Sequence, residues 1–193
     1  MKQTHFKLSI IIFLVINASN IFAQFSNPNL DSHRNFKTIN LGDTKLKWGK
    51  HLAPKGIYNG HETYSFLKDT CCDDIFDMSV EEIYLYFKSD SIVGIEIRTV
   101  KIQKGLSEND PTYMNVGLVR YNTFKSKFNS LFGAANAENM PNDGSNLIKQ
   151  CQWAAANTYL ELAYLYYGVM DGDRLIIQLW DKNYLSNKLK DEF

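Results

Sequence analysis

Cysteine is scarce in this chain, three in 193 residues, and so is proline, with four. Three cysteines cannot make the dense disulfide framework of a small secreted scaffold, and so little proline excludes collagen-like and proline-rich disordered chains. Neither sign of charge dominates: 21 Lys and Arg stand against 21 Asp and Glu, which removes the electrostatic footprint of a general nucleic-acid binder. Charged residues at 22%, beside 45% hydrophobic and 13% aromatic residues, are also far from the composition of a disordered chain. Beyond Ala23 no apolar run approaches the ~20 residues of a membrane helix. The sequence contains no phosphate loop, no Gly-x-Gly-x-x-Gly, no Gly-x-Ser-x-Gly elbow, no His-Glu-x-x-His and no Cys-x-x-Cys, so no cofactor is expected and an enzyme is the less favoured class. What remains is a globular protein long enough to bury a core without metals or staples.

What is present begins with an export signature. Lys2 and Lys7 give a positive start, Leu8 to Ile16 is apolar apart from Ser9, and Ile21-Phe22-Ala23 ends on a small residue. This is the layout of a secretory signal peptide over residues 1–23, cleaved after Ala23, and it predicts a secreted or periplasmic chain with no membrane span after cleavage. Cleavage removes two lysines and no acid, which tilts the remainder slightly acidic. In an oxidising compartment Cys71, Cys72 and Cys151 allow one bridge and one spare thiol. The expectation is Cys151 bonded to Cys71 or Cys72, closing a loop of about 80 residues and contributing on the order of 4 kcal/mol. Three reduced, buried cysteines are the alternative.

Residues 24–38 are polar, Asn-rich and without a period, and read as a loose leader. One α+β domain over 39–180 follows, with 181–193 as a tail. Asp43 or Thr44 caps a short helix running to Leu52 before Pro54, Asn59-Gly60 marks a tight turn, and Glu62 to Leu67 alternates as a half-exposed strand. Ile83 to Lys88 and Ile92 to Val100 form a hairpin about Ser89-Asp90, with Ile83, Leu85 and Phe87 on one face of the first strand and Val93, Ile95 and Ile97 on one face of the second. After a polar linker, Tyr121, Phe124, Phe128, Leu131 and Phe132 recur at helical spacing up to Gly133, with Lys125 and Lys127 pointing away. Strands follow over Leu147 to Trp153, Thr158 to Tyr167 and Arg174 to Trp180, the last two joined at Asp171-Gly172. The order is helix then about three strands, twice, in units of about 39–100 and 118–180. It predicts an antiparallel sheet of about six strands with two helices on one face.

Gly42-Asp43-Thr44, then Trp48, Leu52, Ala53 and Pro54 before strand pairs, resembles the small exported αβ modules typified by the outer-membrane assembly factor BamE. The tandem order is similar to that of the secreted β-lactamase inhibitory proteins; the second unit keeps Phe128, Leu131, Phe132, Gly133 and Ala134. The resemblance implies an α+β fold that binds a protein through the exposed face of its sheet. The lipoprotein cysteine of the assembly factor has no counterpart here, and no binding residue is carried over.

Alternation assigns candidate binding residues without the resemblance. If Leu160, Leu162, Tyr164 and Tyr166 face the helices, then Tyr159, Glu161 and Tyr167 face away, joined by Tyr84, Tyr86, Glu96, Arg98, Gln178 and Trp180. Tyr, Trp and Arg dominate binding hot spots, so this face is expected to be an open surface for a protein or an extended ligand. His51, His61, Cys71 and Cys72 are residue types zinc prefers, but their spacing matches no zinc module, and no metal is expected. A small hydrolase or metal enzyme using His51 or His61, and a self-associating envelope protein, are the competing readings. The acids flanking Gly172 lack the further ligands of a calcium loop and read as a turn.

Overall fold

The computed structural model describes residues 27–67, 71–101, 113–141, 146–167 and 172–185. The expected signal peptide, most of the linker, Asp171 and the end of the tail lie outside them. The described chain runs α1 (Pro28–Ser32), β1 (Asn35–Phe36), β2 (Ile39–Asn40), α2 (Lys45–Trp48), a 3-10 turn (Gly49–His51), β3 (Leu52–Tyr58), β4 (His61–Phe66), β5 (Asp74–Ile75), β6 (Met78–Lys88) and β7 (Ser91–Thr99). It continues with α3 (Tyr113–Phe132), β8 (Ala137–Asn139), β9 (Leu147–Ala154), β10 (Thr158–Tyr166), β11 (Asp173–Asp181) and a second 3-10 turn (Lys182–Tyr184).

The architecture is α+β, as expected, but the sheet is larger than six strands. Eight strands lie in the order β3-β4-β6-β7-β11-β10-β9-β8, β5 pairs with the start of β6, and β1–β2 is a separate two-stranded ribbon. All pairings are antiparallel. The first four strands form one meander, the last four another, and they join where β7 pairs with β11. The extra strands come from segments without clear alternation: β3 carries Pro54 and sits at the sheet edge, where a residue lacking an N–H is tolerated. The Asn59-Gly60 and Ser89-Asp90 turns have positive φ at both central residues (49° and 77°, 47° and 73°), the twist that suits a two-residue hairpin.

Among the described residues only one helix of any length packs on the sheet. Eight strands at ~4.8 Å span roughly 34 Å, whereas a helix with its side chains is ~10–12 Å wide, so α3 cannot cover the face. It lies over β10 and β11, burying Tyr121, Phe124, Phe128 and Phe132, while Leu131 is 43% exposed, contrary to its place in the helical stripe. The rest of that face is roofed by irregular pieces: Leu30, Phe36 and Ile39 from the segment read as a loose leader, Trp48 from the four-residue α2, and Ile75 and Phe76 after the cysteine pair. The leader is therefore a strap. Asp31 accepts from the backbone N–H groups of Ala156 and Asn157, Asn27 donates to the Phe132 carbonyl, and Arg34 pairs with Asp181.

The cysteine pairing also differs from expectation. Cys71 is bonded to Cys72, and Cys151 is free and buried beneath α3. Cys151 sits in the middle of β9, on the side facing the helix, whereas Cys71 and Cys72 lie in the roof segment beside β2, where the Thr38 hydroxyl donates to Cys71 Sγ at 3.8 Å. Cys72 takes a left-handed backbone (φ 77°) in this bridge.

Candidate functional site

The register carries the predicted residues onto the sheet face opposite α3 in rows. One row reads Thr63, Tyr86, Gly94, Trp180, Tyr159, Ala154 across β4, β6, β7, β11, β10 and β9. The next reads Ser65, Tyr84, Glu96, Gln178, Glu161, Gln152. Arg98 stands one step further along β7, and Tyr167 lies beyond the end of β10, where its ring meets Arg174 at 6.0 Å. The structure thus brings eight of the nine together and leaves Tyr167 aside. One alternation fails: the pairing jumps from Gly94 to Ile92 between Tyr86 and Phe87, and this bulge turns Val93 to the far face instead of keeping it beside Ile95 and Ile97.

The first row is not open. Tyr86, Tyr159 and Trp180 are 3%, 0% and 5% exposed, and with Val93 and Leu185 they form a second, smaller core. The cause is Gly94, whose missing side chain lets the Trp180 ring lie on the β7 backbone; a Cβ there would stand 2.4 Å from two ring carbons. Tyr86 packs against the outer part of that ring at 4.7 Å between centroids, His61 flanks it at 5.7 Å, and the final 3-10 turn lays Leu185 over the cluster. His61 Nε2 donates to the Tyr184 carbonyl at 3.0 Å, which fixes the turn in place. An aromatic pattern read as a binding surface is, in this row, a covered core.

The second row is a polar ladder. Glu96 is buried, and its carboxylate accepts from the Tyr86 hydroxyl at 2.8 Å, Gln178 Nε2 at 2.7 Å and Arg98 Nε at 2.6 Å. Three donors, one of them charged, compensate the buried carboxylate for the water it has lost. Burial, then the Glu96 charge, pushes the Tyr86 hydroxyl far above its ordinary range, so it remains a donor. Further along, Tyr159 donates to Glu161 at 2.5 Å and Gln152 does so at 3.4 Å. Arg98 is held from two sides: Nε on Glu96, Nη1 3.5 Å from Glu82, and the guanidinium 4.6 Å over the Tyr84 ring. Burial, with Glu82 second, raises the Tyr84 hydroxyl as well.

At this end the face becomes concave. β3 pairs irregularly with β4 between Pro54 and Gly56, Gly56 adopts φ 116°, and the edge strand turns over the face. A cavity of about 360 Å³ results, lined by Lys55, Gly56, Ile57, Tyr58, Thr63, Tyr84, Tyr86, Glu96 and Arg98. Ile57 and Tyr58 are 78% and 57% exposed at its rim. Sequence reasoning missed Lys55, Ile57 and Tyr58; the signal was the Asn59-Gly60 turn, which requires a strand on its N-terminal side as well.

The histidines do not meet. His51 packs with Trp48 and Phe66 on the helix side, whereas His61 sits on the far side against Trp180. Among the described residues no group of three or more His, Cys, Asp and Glu is placed to hold a metal. No described helix is long and apolar enough to cross a membrane. Fold and site together define an α+β protein whose antiparallel sheet carries a polar, partly aromatic pocket under one edge strand. No family model, curated protein or solved structure matches the chain.

Proposed function

We propose that this is an exported, non-enzymatic binding module of two helix-plus-meander units, which takes an extended segment of another protein along β3 and into the pocket beneath it. The observation that carries this reading is the pocket itself: Arg98, anchored by Glu96 and stacked on Tyr84, lies in its lining beside Lys55, with Ile57 and Tyr58 exposed at the rim. Lys55 supplies an exposed cation for an acidic side chain while Arg98 is already paired with Glu96 and Glu82, the aromatic rings supply rigid contact area, and β3 offers an unpaired strand edge for backbone hydrogen bonds.

The test uses extended nine-residue peptides that differ only in a central Glu, Gln or Lys, measured by fluorescence anisotropy. The Glu peptides are expected to bind at least tenfold more tightly than the Gln peptides. Lys55→Glu and Tyr58→Ala, both at exposed positions, should weaken them with little change in melting temperature. Equal binding of the three peptides, or no effect of either substitution, overturns the assignment.

A further inference from the structure

The helix side holds a second cavity, of about 350 Å³, under the strap. Its floor is Ile97, Leu160, Ile177 and Leu179 from the sheet, its side wall Phe128 and Phe132 from α3, and its roof Leu30 and Phe36 with Ile75 and Phe76. All but Phe76 of these are buried apolar residues of the main core. Close-packed interiors contain few voids larger than a water molecule, and an apolar void stays dry. This one is an order of magnitude larger and partly open to solvent, because a single helix leaves part of the sheet to be roofed by short segments. The polar lining residues, His33, Asn35 and Lys37, are exposed and come from one stretch of the strap.

We propose that this cavity binds one unbranched alkyl chain of about 10 to 14 carbons, with a carboxylate end at the mouth beside His33 and Lys37. The size follows from scale. A dry apolar cavity of about 150 Å³ takes a six-carbon ring, so at roughly 25 Å³ per heavy atom this one accommodates about 14. A fused four-ring lipid, with about twice as many carbons, is too large. The head group follows from the mouth, where Lys37 is the cation of the lining. Its partner Asp74, at 3.1 Å, is 56% exposed and Lys37 itself 43%, so that pair is solvated and exchanges for a ligand carboxylate at little cost. The strap beside the mouth is held by Asn27, Asp31 and Arg34 on one side and by Lys37 on the other, and the pocket between them is partly open to solvent, which gives a route for entry.

The test is isothermal titration of the full chain with carboxylates of 8, 10, 12, 14 and 16 carbons below their micelle concentrations. Affinity should rise about fourfold per added methylene and stop rising between 12 and 16 carbons. Dodecanol should bind at least tenfold more weakly than dodecanoate, and Lys37→Gln should remove most of that difference. Ile75→Trp and Leu179→Phe fill the cavity from roof and floor; whichever retains the native circular dichroism should lose binding. Absence of binding at every length, an affinity that climbs unbroken through 16 carbons as surface adsorption does, equal binding of dodecanol, or a folded filling variant that binds as the native chain does overturns the proposal. None of these outcomes depends on the pocket under β3, whose peptide assay reads a different face.

Discussion

Gly94 and Trp180 make the sharpest prediction, because they decide whether the far face of the sheet is a surface or a core. In Gly94→Ala the new Cβ would lie 2.4 Å from Trp180 Cε3 and Cζ3. An ordinary carbon contact needs ~3.5 Å, so the ring must retreat by roughly 1.1 Å. It has no free direction: Tyr86 and His61 hold it at 4.7 and 5.7 Å, and Leu185 packs in the same cluster. Overpacking of this kind costs about 1–3 kcal/mol. Trp180→Ala removes a large buried side chain and costs about 3–5 kcal/mol, a fall of some 6–20 °C in Tm for a chain of this size. The double variant separates the two effects. Without the indole the three nearest atoms that alanine at position 94 would meet are gone, and it gains roughly 0.4–1 kcal/mol over glycine by restricting the unfolded chain. Gly94→Ala should therefore destabilise the native protein and stabilise Trp180→Ala, with a coupling of about 1.4–4 kcal/mol. Guanidinium titration followed by far-UV circular dichroism measures all four proteins. Additive losses, or a Gly94→Ala variant as stable as the native chain, would refute the argument and restore an open aromatic face.

Three further predictions concern protonation and sulfur. Thiol titration of the unreduced, denatured chain should find one thiol, that of Cys151; in the folded protein at pH 8 it should find almost none, since burial pushes this thiol up to about 11, and three thiols on denaturation would contradict the pairing. Burial, and more weakly Lys88, holds His61 below its ordinary value despite the Tyr184 carbonyl, so the unfolded chain binds that proton more readily. The stability it contributes is complete above the unfolded value of ~6.5 and lost as pH falls below it. The protection of amides around Leu185, measured against the unfolded chain at the same pH, should accordingly fall as pH is lowered from 7.5 to 5.5, and His61→Phe should abolish the change. Burial, first, raises the Asp173 carboxyl against the Tyr164 hydroxyl bond, so stability falls as pH rises from ~3.8 through the folded value. Asp173→Asn should raise Tm at pH 7 and not at pH 3; an equal effect at both would exclude this cause.

Periodicity located the elements that periodicity builds. The hairpin of β6 and β7, the stripe Tyr121, Phe124, Phe128, Phe132 and the strands β9, β10 and β11 agree with the structure to within a few residues, except that β6 begins five residues earlier, at Met78, and α3 begins at Tyr113. Short elements held only by tertiary contacts left no such trace. Leu30, Phe36 and Ile39 are single apolar residues in a polar stretch, and only the uncovered sheet beneath them explains their burial. For the site, alternation gave the correct face but not its exposure. Tyr84 and Tyr86 are equivalent by pattern and both line the pocket, yet Tyr84 is half-buried and Tyr86 is 3% exposed, because Gly94 opposite Tyr86 admits an indole beside it. The Cys71–Cys72 bond had no periodic signature at all.

The strap has a consequence for the order of folding. Asp31 is made 125 residues before Ala156, the backbone it finally grips, and Arg34 precedes its partner Asp181 by 147. For a chain that emerges from its N-terminus at about 5–20 residues per second, the strap waits roughly 6 to 25 s for its receptor. During that interval Leu30, Phe36 and Ile39 have no sheet to cover, and the floor of β7, β10 and β11 is completed before its roof can close. The strap cannot dock until β10 and β11 exist, and until then its share of the roof over the apolar floor is missing while α3 and the Ile75–Phe76 segment supply the rest.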